Sequence, residues 1–190
     1  MSDLEDKSPA NLLRAMLREI SLNCLRDYAV GEDWKLESFK TDLAIYGDRM
    51  ALVLISGKPV KLTFKAHFME SEAKNLATKV YHKPVTSIST EQALDFMKEF
   101  CNITAGSLKK MLHEQGLITG ISLPLVVRGF DEIYFSPSDE LMSFEDHWRL
   151  SASAVKVICS INIEIYQPEV ISTLQPLGSS GDLAGEVEFL

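Results

Sequence analysis

The chain has 190 residues, a hydrophobic fraction of 46%, a charged fraction of 24% and a formal net charge of −8. These values suit one globular domain with a core that needs no staples. The negative balance argues against a nucleic-acid binder, which needs clustered Lys and Arg to meet phosphates. The start, MSDLEDKSP, is acidic and polar, unlike a secretory leader, and no apolar run approaches the ~20 residues that cross a bilayer. The expectation is therefore a cytoplasmic protein that neither spans nor docks on a membrane. Cys24, Cys101 and Cys159 and the four histidines lack metal-ligand spacing, so the cysteines read as buried reduced thiols and no metal site is expected.

In chain order, Ser8-Pro9 opens a helix that runs to about Tyr28, with Leu12, Leu13, Met16, Leu17, Ile20 and Cys24 at helical spacing. Gly31 breaks that pattern. Leu43 to Leu54 is strand-like, with Gly47-Asp48 as a turn, and Ser56-Gly57-Lys58-Pro59 marks another turn. Val60, Leu62 and Phe64 alternate with Lys61, Thr63 and Lys65, the period of a half-buried strand. Ser71 is the expected cap of a short helix to about Val80. A long helix follows Ser89-Thr90, from Glu91 to about Gln115, and Gly116 ends it. Ile121 to Val127 reads as one strand, Ile133 to Phe135 as a nearby partner, and Ser151 to Tyr166 as a strong strand. From Gln167 onward Pro, Gly and Ser accumulate. The pattern divides the chain into a domain over 1–170 and a mobile tail over 171–190. The order of elements points to an α+β (α/β sandwich) fold.

The long helix carries the chemistry. With Asp95 set at zero and about 100° per residue, Glu99, Asn102, Gly106, Lys109 and His113 fall within roughly 40° of it. The other side collects Ala93, Leu94, Met97, Phe100, Cys101, Leu108, Met111 and Leu112. One face is core; the other presents two acids, an amide, a gap and a base. A mid-helix glycine costs about 1 kcal/mol relative to alanine. Gly106 lies on the polar face, where core packing gives no reason for it, so it marks a flat spot beside Asn102 where a partner can approach. The plain alternative is a solvated polar face with a tolerated glycine.

Asp95, Glu99 and Asn102 stand at the spacing Asp/Ser-x3-Glu-x2-Asn, and Pro124 follows in Ile121-Ser122-Leu123-Pro124. Together with N-I-T-A-G-S-L-K-K and I-S-L-P-L-V-V-R-G, this stretch resembles the CheC/CheX chemotaxis phosphatases. The match is close from Asp95 to Gly129 and looser back to Leu43. The resemblance implies an antiparallel sheet with two long helices packed on it, in halves related by a pseudo-twofold. On the first helix, Glu19 and Asn23 miss the spacing by one residue and Ala15 stands where Asp or Ser belongs, so one site is expected, as in CheX. The resemblance implies hydrolysis of the aspartyl phosphate of a CheY-type response regulator. Asn102 would orient the attacking water, Glu99 would pair with the receiver's Lys, and Asp95, Gly106 and Lys109 would contact the partner. Pro124 would shape the strand beside the helix. It also implies a homodimer, and Mg²⁺ on the receiver but no cofactor on this chain. The other reading the resemblance allows is a non-catalytic receiver-binding or flagellar-switch-type module of the same fold.

Overall fold

The structure, a computed structural model, describes residues 9–29, 32–38, 47–129, 142–153 and 155–175. The expected cap Ser8, the break at Gly31, the start of the strand at Leu43, the Ile133–Phe135 strand and residues 176–190 of the tail lie outside them.

Helix α1 spans Pro9–Tyr28, as its apolar period dictates, and buries Leu13, Met16, Leu17, Ile20 and Leu25. Strand β1 (Lys35–Ser38) follows, then the hairpin of β2 (Arg49–Gly57) and β3 (Val60–Phe68). Helix α2 (Glu70–Tyr81) and the long α3 (Thr90–Glu114) come next. The chain then forms β4 (Thr119–Ile121), β5 (Leu125–Arg128), a second hairpin of β6 (Met142–Ala152) and β7 (Val155–Ile165), and the short α4 (Pro168–Ile171).

The seven strands make one sheet in the order β1-β6-β7-β3-β2, with β4 and β5 both on the outer side of β2, and every pairing is antiparallel. Two halves can be traced, each a helix, edge strand and hairpin: α1–β1–β2–β3 and α3–β4/β5–β6–β7. The hairpins meet at β3–β7, and each half's edge strand pairs with the other half's hairpin. Neither half closes its own hydrogen-bond ladder, so the two fold as one unit. This is the α+β architecture the residues suggested, with helices on one face of an antiparallel sheet.

Leu62, Phe64, Ala66 and Phe68 of β3 point into the helical core beside Ile161, Ile163 and Cys159 of β7. The alternate row carries Lys61, which pairs with Glu164 at 2.8 Å. Contrary to the half-buried pattern, that row also holds Thr63 and His67 almost fully buried. Burial holds the His67 imidazole down to about 3, helped by Lys65 and His147.

Strand β6 bolts α1 to the sheet. Asp146 accepts hydrogen bonds from Arg14 at 2.9 Å and from Arg18 at 2.7 and 2.8 Å. Trp148, fully buried, donates from Nε1 to Ser21 Oγ at 3.0 Å and stacks on Phe64 with centroids 6.0 Å apart. Phe64 in turn meets Phe100 of α3 edge-on at 6.0 Å. An aromatic relay thus runs from α1 through the sheet to α3.

Four sequence expectations are corrected. The cap of α2 is Met69, whose backbone N–H donates to Glu72 at 3.0 Å; Ser71 lies inside the helix. Ile121–Val127 is two strands, split at Ser122–Pro124. Ser151–Tyr166 straddles the β6–β7 turn, where Ser153 takes a left-handed φ of 48°. The chain after Gln167 does not leave the domain at once: α4 buries Ile171, Leu174 is buried, and Gln175 is held by Gln115.

Burial alone would raise the Asp146 carboxyl, but the hydrogen bonds and charges of Arg14 and Arg18 outweigh it and hold it below the usual carboxylate range. A depressed folded pKa gives stability that is complete above the unfolded value near 3.9 and is lost as pH falls through the folded one. Asp146→Asn should therefore cost about 2–4 kcal/mol at pH 7 and flatten the acid side of the stability profile below about pH 4. Denaturant unfolding from pH 7 to pH 3 measures both; an unchanged midpoint at pH 7 would show that the pair contributes nothing net.

Candidate active site on helix α3

Both ends of α3 are fixed by local chemistry. Ser89 Oγ accepts from the Gln92 backbone N–H at 3.1 Å, and Gln92 Oε1 accepts from the Ser89 N–H at 3.1 Å, a reciprocal capping box. Thr90 donates its hydroxyl to Glu70 at 2.6 Å, and Glu70 also takes Arg49 and Lys74, each at 3.1 Å. Those three contacts, Thr90 first, hold the Glu70 carboxyl down to about 2 and tie the starts of α2 and α3 together. At the far end Gly116 has φ +83°, Leu117 N–H donates to Leu112 O at 2.8 Å and Gly116 N–H to His113 O at 2.9 Å. This is a Schellman motif, closed by buried Leu117.

Between these ends Ala93, Phe96, Met97, Phe100, Cys101, Thr104, Ala105, Leu108, Met111 and Leu112 are buried. The turn of 3.6 residues then sends the remaining row outward. Asp95 is exposed and paired with Lys98. Glu99 and Asn102 are half-exposed, and Asn102 Nδ2 donates to Glu99 Oε2 at 3.4 Å. Lys109 and His113 are exposed farther along. A Cβ built on Gly106 would meet nothing within 4 Å, so no neighbour in the fold requires glycine there. All six helix residues placed on that face in the sequence, Asp95, Glu99, Asn102, Gly106, Lys109 and His113, therefore share one accessible face, and Glu99 and Asn102 touch.

Pro124 belongs to a different layer. Ile121 pairs with Ile55 and Leu125 with Leu52, so Ser122–Pro124 place three residues opposite two, Val53 and Leu54. Ser122 N–H donates to Leu54 O at 2.9 Å, and the Leu54 N–H donates to Ser122 Oγ at 3.0 Å. The serine hydroxyl keeps the ladder satisfied through the bulge, and proline, lacking an N–H, fits where no donor is needed. Its place is structural, on the sheet edge that α3 overlies.

The residues missed in the sequence lie on α1. Tyr28 packs edge-on to Phe96 with centroids 5.5 Å apart. Burial pushes its hydroxyl upward, with Cys24 and then the Glu99 carboxylate adding to the shift. Burial likewise pushes the Cys24 thiol up to about 12, so it is an unreactive core group. Glu99 thus lies beside the α1–α3 seam. The only sequence signal at Tyr28 was its position in the last turn of an amphipathic helix. Glu19 is exposed and Asn23 half-buried on α1. Among the described residues no group of three or more His, Cys, Asp or Glu is placed to hold a metal, and no helix is long and apolar enough to cross a membrane.

What such a face can do is limited. It holds a carboxylate and a carboxamide one turn apart on a rigid helix, beside an accessible flat spot. It suits chemistry on another macromolecule that brings its own reactive group.

Residues 49–141 match the family model described as "Chemotaxis phosphatase CheX". No curated protein matches the sequence. Among solved structures, chemotaxis protein CheX from Vibrio vulnificus is similar at 21% identity and a TM-score of 0.63, over 82% of this chain and 99% of that one. CheX in its CheX–CheY–BeF3–Mg²⁺ complex from Borrelia burgdorferi is similar at 19% identity and 0.62, over 80% and 96%. A CheC-like superfamily protein from Shewanella sp. PV-4 gives 22% and 0.59, over 82% and 97%. At these identities the structural likenesses speak for the fold, and the family model speaks for the sequence. By the two together, residues 49–141 are similar in sequence to the CheX family, and the described chain shares the fold of CheC/CheX-like proteins.

Proposed function

We propose that this chain removes the phosphoryl group from the aspartyl phosphate of a CheY-type receiver domain. The observation that carries the reading is the Glu99–Asn102 pair: the two side chains touch at 3.4 Å on the accessible face of a helix fixed at both ends.

An acyl phosphate is already activated, and a receiver supplies its own Mg²⁺ and lysine to stabilise charge. What remains is to place a water in line with phosphorus, because positioning dominates phosphoryl transfer. A neutral carboxamide can do this, since it accepts from and donates to water without adding a negative charge beside the phosphoryl oxygens. In this reading Asn102 holds the water, which forms the new P–O bond as the aspartyl carboxylate leaves. Glu99, one turn earlier, pairs with the receiver's lysine and fixes the register. Gly106 lets the receiver approach the helix backbone. Asp95, with Lys98 against it, and Lys109 form the rim.

The roles separate in kinetics. Asn102→Ala should lower receiver dephosphorylation by about 100-fold while receiver binding survives, whereas Glu99→Ala should weaken binding about tenfold or more. Dephosphorylation at saturating protein, with affinity measured separately, checks both; equal loss of affinity in the two variants would remove Asn102 from the chemistry. At Gly106 stability and activity should move in opposite directions. Gly106→Ala places its Cβ in open space, so it should stabilise the fold by about 0.5–1 kcal/mol and lower activity. A variant that gains stability and keeps full activity would mean that nothing docks there.

A further inference from the structure

Asn102 is flanked by opposite charges. At about 100° per residue, Glu99 lies about 60° to one side of it and Lys98 about 40° to the other, each one turn nearer the start of α3. Asn102 Nδ2 donates to the Glu99 carboxylate at 3.4 Å, which leaves Oδ1 to accept a proton from a bound water. Lys98 is half-exposed, and its ammonium is paired with Asp95, three positions back. Four positions forward stands Asn102, and neighbours at either spacing have Cβ atoms about 5–6 Å apart. The stem of Lys98 therefore reaches both. Lys109, on the same row, lies about 10 Å along the helix on the far side of Asn102.

We propose that Lys98 is a further catalytic residue: when the receiver docks, its ammonium leaves Asp95 and contacts a phosphoryl oxygen beside Asn102. The inference rests on the phosphatase reading and adds a cation to it.

Charge balance gives the reason. In that reading Glu99 takes the receiver's lysine, so it weakens the positive field on the phosphoryl group and brings a carboxylate close to it. A cation from this chain restores that field, as an arginine supplied in trans does in other phosphoryl transfers. The water oxygen bonds to phosphorus while the bond from phosphorus to the aspartyl oxygen breaks, and the electron pair leaves with the carboxylate. One water proton stays on the new P–OH and the other passes to a phosphoryl oxygen, giving dihydrogen phosphate. Lys98 keeps its proton throughout, and its contribution is electrostatic. Release from Asp95 costs little, because exposed ion pairs are weak. Asp95 keeps the long stem aligned along the helix while the face is empty.

The test uses the full chain and a CheY-type receiver, and compares wild type with Lys98→Met and Lys98→Arg. Methionine keeps much of the stem and the helix propensity but removes the charge, which arginine retains. Single-turnover phosphate loss at saturating protein reads the chemistry, and affinity for the beryllofluoride-loaded receiver reads docking. Lys98→Met should slow the saturated rate about tenfold, less than loss of a donor in an enclosed site because solvent screens this face. Its affinity should change by less than about threefold, and Lys98→Arg should stay within about threefold of wild type in both measurements. A Lys98→Met rate equal to wild type, or a loss confined to affinity, would overturn the proposal and leave Lys98 a rim residue. Lys98→Arg as slow as Lys98→Met would overturn it as well, since charge would not be what matters. Wild type that binds the receiver without acceleration would remove the phosphatase reading and Lys98 with it, whereas acceleration that Lys98→Met leaves intact would remove Lys98 alone.

Discussion

The whole site depends on how α3 is seated. Phe100, Cys101, Ala105 and Leu108 have no exposure to solvent, and Phe100 is held edge-on by Phe64 of the central strand. Once that stripe is packed, the helical period leaves Glu99, Asn102, Gly106 and Lys109 only one direction, away from the sheet. Rotating the helix enough to hide Asn102 would bring Phe100 or Leu108 into water, at a cost of about 1.5–3 kcal/mol per side chain. A single packing constraint therefore sets both the accessibility and the mutual spacing of the pair.

Seating depends in turn on the interlocked halves. The edge strand of each half completes the other half's hairpin, so the helices are fixed on one common sheet. The path Ser21–Trp148–Phe64–Phe100 connects α1 to α3 through β6 and β3, and the Asp146 carboxylate between Arg14 and Arg18 secures its outer end. Tyr28, against Phe96, closes the seam beside Glu99. A rigid platform of this kind is what a water-positioning role requires, since displacement of about 1 Å can cost about 100-fold in rate.

Much of this was legible in the residues because it follows from period. Pro9–Tyr28, the strand at β3 and the long α3 with its Ser89 and Gly116 ends all appear where apolar spacing and capping chemistry put them. The shared face of Asp95, Glu99, Asn102, Gly106 and Lys109 follows from the same arithmetic. What could not be read was long-range. Strand β6 looks unlike a strand because its inward row, Phe144, Asp146, Trp148 and Leu150, includes a carboxylate, tolerable only because Arg14 and Arg18 arrive from 128 or more residues away. The break at Pro124 depends on Ser122 supplying a side-chain acceptor to β2, and the cap of α2 on Glu72 reaching back to Met69. Tyr28 gave no sign of its neighbours, and Pro, Gly and Ser after Gln167 masked the docking of Ile171 and Leu174.

The central claim is that this surface performs chemistry on a phosphorylated partner rather than merely holding it. The most direct measurement is the single-turnover rate at which phosphate leaves a phosphorylated CheY-type receiver, with the intact chain at saturating concentration and without it. The account predicts clear acceleration over the receiver's own rate, abolished when Mg²⁺ is withdrawn from the receiver. Saturable binding with an unchanged rate would contradict it and leave the Glu99–Asn102 face a docking surface.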